Sequence, residues 1–254
     1  MCFDADSLPP IPAIAGAAVS HDELVLEASD GNRFAAFSTM PDETSGAGIV
    51  ILPDVRGLYR FYEELALRFA ERGHAAIAFD YFGRTAGAEK RDDDFEYMPH
   101  VGQTTPEGVQ ADVAAAVGRL REQAADVVFT VGFCFGGRHS WLAAAAGHRL
   151  AAAIGFYGRP GVGRDGSLGP AQRAGELEAP ILALMGGADD GIPVADVREF
   201  ERALEEAGVE HEIAIYDGAP HSFFDRKFEE FADASDDAWR RVISFIEQYG
   251  RAKR

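Results

Sequence analysis

The sequence predicts an α/β fold, a mostly parallel sheet covered by helices on both faces, with an antiparallel hairpin at one edge. Three observations predict it. Short, continuous apolar runs of strand length recur along the chain, separated by amphipathic stretches of helical period. Near the start, the turn signal Asp30-Gly31-Asn32 joins two strand-like segments. The residues able to do chemistry fall just after apolar runs, where open parallel sheets bind ligands.

Taken in order, ELVLEAS and RFAAFSTM flank that turn and form the hairpin. GIVILP, from Gly48, lacks polar alternation, as expected of a strand buried on both faces. YEELALRFAERG has helical period and closes at Gly73, a C-terminal cap. AAIAFDYF reads as the next buried strand. The segment from Gly83 to Thr105 is long and polar, with an acidic run, Asp92-Asp93-Asp94, and several aromatic residues. Connections of this length usually serve a site. We expect it to wall a pocket, with Phe82, Tyr97 and His100 as candidates to touch substrate; a solvated loop is the competing account. Thr104 and Glu107 bracket Pro106 as a capping box, opening a helix through VQADVAAAVGRLREQ. DVVFTV is a strand that feeds VGFCFGGRHS, and WLAAAAG continues a helix. AAAIGFYG, PILALMGG and EHEIAIYDG read as three further strands, PVADVREFERALEEAG and DAWRRVISFIEQYG as helices. No repeat or low-complexity linker divides the chain. We expect one domain over residues 1–254, with 1–20 as an extended arm and no large cap domain.

Composition narrows the function. A formal net charge of -18 argues against nucleic-acid backbones and anionic membranes as partners. The basic ending, RAKR, is too short to reverse that. No run approaches the ~20 apolar residues of a membrane helix. The start, MCFDADSLPPIPAIAG, has no basic region leading into an apolar stretch, so no signal peptide is expected and a cytoplasmic location is. Two cysteines, Cys2 and Cys134, make no disulfide framework, and no Cys/His cluster has zinc spacing. Neither a metal nor an organic cofactor is expected.

In Val131-Gly132-Phe133-Cys134-Phe135-Gly136-Gly137 a cysteine follows a strand and opens a helix. A nucleophile there occupies a tight turn that lifts its side chain out of the sheet, and glycines two before and two after avoid collisions with neighbouring backbone. The helix N-terminus favours a thiolate. On this motif alone, a buried free cysteine accounts for the pattern about as well. Two further features shift the balance. Asp189 follows one apolar strand, beside Asp190, and His221 lies in the loop after the next. Separately these read as a turn aspartate and a surface histidine. Together they give nucleophile, acid and histidine in the chain order of the hydrolase triad. His21, His74, His139, His148 and His211 are weaker candidates.

At these residues the sequence resembles the dienelactone hydrolase family, the carboxymethylenebutenolidase-like branch of the α/β-hydrolase fold. The likeness covers roughly residues 20 to 248 and rests on a GxCxGG elbow (Gly132, Cys134, Gly136, Gly137), a GGxD element (Gly186 to Asp189, with Pro193 after it) and a histidine loop (Pro220 to Phe223). The resemblance implies Cys134, Asp189 and His221 as catalytic residues and the backbone N–H groups of Val55 and Phe135 as an oxyanion hole. It implies Asp54 as the acid beside the resting thiol, where dienelactone-cleaving members carry Glu. It implies Arg84 as a holder of the substrate carboxylate. A second family arginine falls at Asp225, with Arg226 one later, and Arg56 is an extra base that could compensate or pair with Asp54.

The expected reaction is hydrolysis of a small-molecule ester or enol lactone through a thioester. Amides are disfavoured, because the thiol leaves before an amine does. Two alternatives stand beside it: a general carboxylesterase or thioesterase with no carboxylate requirement, and a non-catalytic binding or redox-sensing protein with Cys134 as its sensor. An oriented Asp–His pair, which a sensor does not need, weighs against the last.

Overall fold

The computed structural model describes residues 7–92, 94–123, 125–225 and 227–250. Cys2, Asp93, Arg226 and the RAKR ending lie outside them. The strands are β1 (Val19–Glu27), β2 (Arg33–Pro41), β3 (Ala47–Leu52), β4 (Ala75–Phe79), β5 (Val127–Phe133), β6 (Ala152–Phe156), β7 (Ile181–Gly186) and β8 (His211–Tyr216). They form an eight-stranded sheet in the order β1-β2-β4-β3-β5-β6-β7-β8. β1 and β2 pair antiparallel, with Leu26 opposite Phe34, and β2 pairs antiparallel with β4. All pairs from β4/β3 to β7/β8 are parallel, so their C-terminal ends share one edge.

The helices are α1 (Arg60–Ala70), α2 (Gly83–Ala86), α3 (Met98–Val101), α4 (Pro106–Glu122), α5 (Phe135–Ala143), α6 (Val194–Ala207) and α7 (Ala232–Tyr249). Strand periodicity divides the core. Ile49 and Ile51 of β3, Phe129 and Val131 of β5, and Leu182 and Leu184 of β7 pack with α1 and α7. The intervening residues Val50, Leu52 and Val128 pack with α4, and Ala183 and Met185 pack with α5 and α6. Apolar residues at every position are therefore what a doubly covered sheet requires.

Two local details differ from expectation. The N-cap of α4 is Thr105, whose hydroxyl accepts the Gly108 N–H at 3.1 Å, rather than Thr104. Pro106 is thereby the first helical residue, where its fixed φ fits and its missing N–H costs nothing. The connection between β4 and α4 contains two single helical turns, α2 and α3, too short to leave a periodic trace.

Candidate active site

Cys134 stands between the end of β5 and the start of α5 with φ 55° and ψ −111°, in a region that side chains other than glycine rarely adopt. Close packing enforces the turn. A Cβ on Gly132 would overlap the Gly136 carbonyl, and one on Gly136 would overlap the Leu52 and Pro53 carbonyls. The Cys134 N–H donates to Phe156 O at 3.0 Å, and the Gly136 N–H to Pro53 O at 3.1 Å. The elbow is thus bonded to the strands on both sides of it. The thiol is free and half-buried.

At the same edge, the loop after β7 carries Asp189 and the loop after β8 carries His221. Asp189 Oδ2 lies 2.6 Å from His221 Nδ1. Its Oδ1 accepts the N–H groups of Gly191 at 2.8 Å and Ile192 at 3.2 Å, which fix the carboxylate. The Asp189 side chain is 1% exposed and that of His221 33%. The imidazole therefore has one side on a buried anion and another open to the surface.

The loop after β3 lies against the elbow. Asp54 is fully buried; its Oδ1 accepts the Arg56 N–H at 2.8 Å and its Oδ2 pairs with Arg56 Nη2 at 3.4 Å. Tyr62 Oη accepts the Asp54 N–H at 2.8 Å, and Tyr81 Oη donates to Pro53 O at 2.7 Å. Burial, with the charges of Asp54, Asp80 and Cys134 nearby, holds the Tyr81 hydroxyl far above its ordinary pKa, so it stays a donor. Among the described residues, the N–H groups of Val55 and Phe135 donate to no protein acceptor.

Arg84 is placed differently from its expected role. Its Nη1 pairs with the buried Asp112 at 2.7 Å and its Nη2 with Asp30 at 2.8 Å, so its charge is committed to the hairpin turn and α4. This conformation does not offer it to a substrate carboxylate. Phe82 is also moved out of the expected contact role: it is 1% exposed, held by its N–H donating to Asp80 Oδ2 at 2.9 Å. His100 stacks on Phe95 at 5.0 Å and lies 5.9 Å from Phe82, and half-buried Tyr97 packs against the same side of the core. Phe82, Phe95 and His100 form an aromatic cluster, joined to the elbow through Tyr81 and Phe135, whose rings are 5.1 Å apart.

Sequence reading missed Tyr157 and the local role of Asp225. Tyr157, just after β6, has φ 37°; its ring is 4.8 Å from that of His221 and its hydroxyl donates to Asp225 Oδ2 at 2.7 Å. An aromatic residue ending an apolar run carries no signal beyond core packing. Among the described residues, no group of three or more His, Cys, Asp or Glu is placed to hold a metal ion, and no helix is long and apolar enough to cross a membrane.

The dienelactone hydrolase family model matches residues 34–250. A protein of Escherichia coli named "Putative carboxymethylenebutenolidase" is 30% identical over 239 residues, covering 89% of this chain and 86% of its own. A carboxymethylenebutenolidase of Rhodococcus opacus is 29% identical over 263 residues, covering 98% and 97%. A crystal structure of a "Putative Dienelactone Hydrolase" from Klebsiella pneumoniae superposes with a TM-score of 0.79 at 26% identity, over 91% of this chain and 100% of that one. With a family match over most of its length and a shared fold, the chain belongs to the dienelactone hydrolase family, hydrolases of ester or lactone bonds on the α/β-hydrolase fold.

Proposed function

We propose that Cys134 is the nucleophile of an ester- or enol-lactone-cleaving reaction, with His221 as its base and Asp189 as the group that orients the base. The observation that carries this is the presence, on one sheet edge, of a strained cysteine at a helix N-terminus and a histidine hydrogen-bonded to a buried aspartate. His221 Nε2 takes the thiol proton, since Asp189 holds Nδ1 as the donor. The thiolate attacks the carbonyl carbon, and the N–H groups of Val55 and Phe135 receive the developing oxyanion. Such donors contribute about 3 kcal/mol each to the transition state. The C–O bond breaks, His221 returns the proton to the alkoxide or enolate, and a thioester remains on Cys134. Water, deprotonated by His221, cleaves it and restores the thiol. Asp54 is the acid assigned to act on the resting thiol.

Cys134→Ala is expected to lower turnover of an aryl ester at least ~1000-fold, and mass spectrometry of the wild type quenched with a slow acyl donor should find the acyl group on Cys134. Near-complete activity in the variant sinks the assignment. A carboxylesterase with no carboxylate requirement is the second reading, favoured by the two ion pairs that occupy Arg84. A charged dienelactone assayed against a neutral short-chain ester separates the two.

A further inference from the structure

We propose that Tyr157 is a positioning residue that sets the imidazole of His221, through its ring and through the hydrogen bond of its hydroxyl to Asp225; the assignment rests on the reading of His221 as the base. Contacts from the elbow, β7 and the histidine loop meet at this residue and the one before it. The preceding carbonyl, Phe156 O, accepts the N–H of Cys134 at 3.0 Å, and the Tyr157 N–H donates to Leu184 O of β7 at 2.8 Å. The backbone at 156–157 therefore links the elbow to the strand that carries Asp189. Tyr157 then turns to φ 37°, a conformation a bulky side chain keeps only where its surroundings dictate it. So turned, its ring lies 4.8 Å from the His221 ring at an interplanar angle of 55°. Its hydroxyl reaches Asp225, which is 2% exposed, at 2.7 Å.

His221 and Asp225 are the two ends of one turn. Within it Ser222 has φ 64°, and the Asp225 N–H donates to Ser222 O at 3.2 Å. Tyr157 holds this turn at both ends, by its ring at His221 and by its hydroxyl at Asp225. Asp189 fixes Nδ1, and the Tyr157 ring packs against the imidazole and restrains its orientation. A reacting group displaced by an ångström loses up to ~100-fold in rate, so this restraint acts on turnover rather than on substrate affinity.

The test is Tyr157→Phe, which keeps the ring and removes the bond. With an aryl ester, kcat is expected to fall about 5- to 20-fold with KM within about twofold. Tyr157→Leu, lacking the ring, falls further. Asp225→Ala also lowers kcat, and the double variant falls by less than the product of the two single effects, because both substitutions remove the bond they share. The second readout is the pH profile of Cys134 alkylation by iodoacetamide, which reports the coupling of the thiol to the imidazole; Tyr157→Phe should displace it from the wild-type profile. A lowered melting temperature with unchanged kcat and alkylation profile makes Tyr157 a packing residue and overturns the proposal. A raised KM at unchanged kcat makes it a substrate contact, with the same consequence. Cys134→Ala, run alongside, reports on the nucleophile separately: if it keeps its activity, that reading fails, while the alkylation profile still reads whether Tyr157 governs His221.

Discussion

Replacing His139 by Leu should flatten the acid limb of this protein's stability curve. His139 lies on α5, behind the elbow, 4% exposed, with its ring 4.4 Å from that of Phe135. Burial, reinforced by the adjacent Arg138 charge, pulls its pKa from the ordinary value near 6.5 down to about 3. The unfolded chain therefore binds a proton below about pH 6.5 that the folded chain refuses. The contribution is intact above that pH and is lost as the pH falls towards the folded value, at about 1.4 kcal/mol per unit. Between pH 7 and pH 5 the loss is about 2 kcal/mol. His74, drawn down to about 4 by burial and then by Arg72, adds a loss of about 2 kcal/mol over the same interval. His139→Leu removes one of the two, and it abandons no bond at Nδ1, which has no hydrogen-bond partner among the described residues. Urea unfolding at pH 7 and pH 5, at one ionic strength, gives the measurement. The variant should lose about 2 kcal/mol less than the wild type on acidification. Equal losses in the two proteins would refute the reasoning, because carboxylate titration is common to both and cancels.

Two further outcomes test the placement of the surrounding residues. Arg84→Ala strips the buried Asp112 of its cation and leaves it, among the described residues, the 2.9 Å bond from Asn32; thermal or urea unfolding should show a loss of about 2–3 kcal/mol, with KM for neutral esters unmoved. Thr105→Ala removes the α4 cap and should cost about 1 kcal/mol by the same assay, whereas Thr104→Ala should cost much less, its hydroxyl donating only to Val101 O.

The sheet was largely legible because its central strands are buried on both faces: β3 and β7 read as unbroken apolar runs, and β5 is interrupted only by Thr130 and Gly132. Asp30-Gly31-Asn32 marked the hairpin for the separate reason that only certain residues tolerate its turn. The positions of Cys134, Asp189 and His221 after strands β5, β7 and β8 follow from the strand pattern, so the candidate site was legible in the sequence. Pairing across the chain was not. Nothing local to Arg84 says that Asp30, 54 positions away, and Asp112, 28 positions away, will claim its guanidinium. Phe82 reads as a loop aromatic until Asp80 is seen to draw its backbone inward. Tyr157 differs from any core aromatic only by a positive φ and by where its hydroxyl ends, and neither is written in residue type.

The sheet order β5-β6-β7-β8 also runs in the direction of synthesis. At about 5–20 residues per second, Cys134 leaves the ribosome several seconds before His221. A nascent or clipped chain lacking β8 and the loop after it carries Cys134 without its proposed base, so the proposed mechanism requires the last strand to dock before the first turnover.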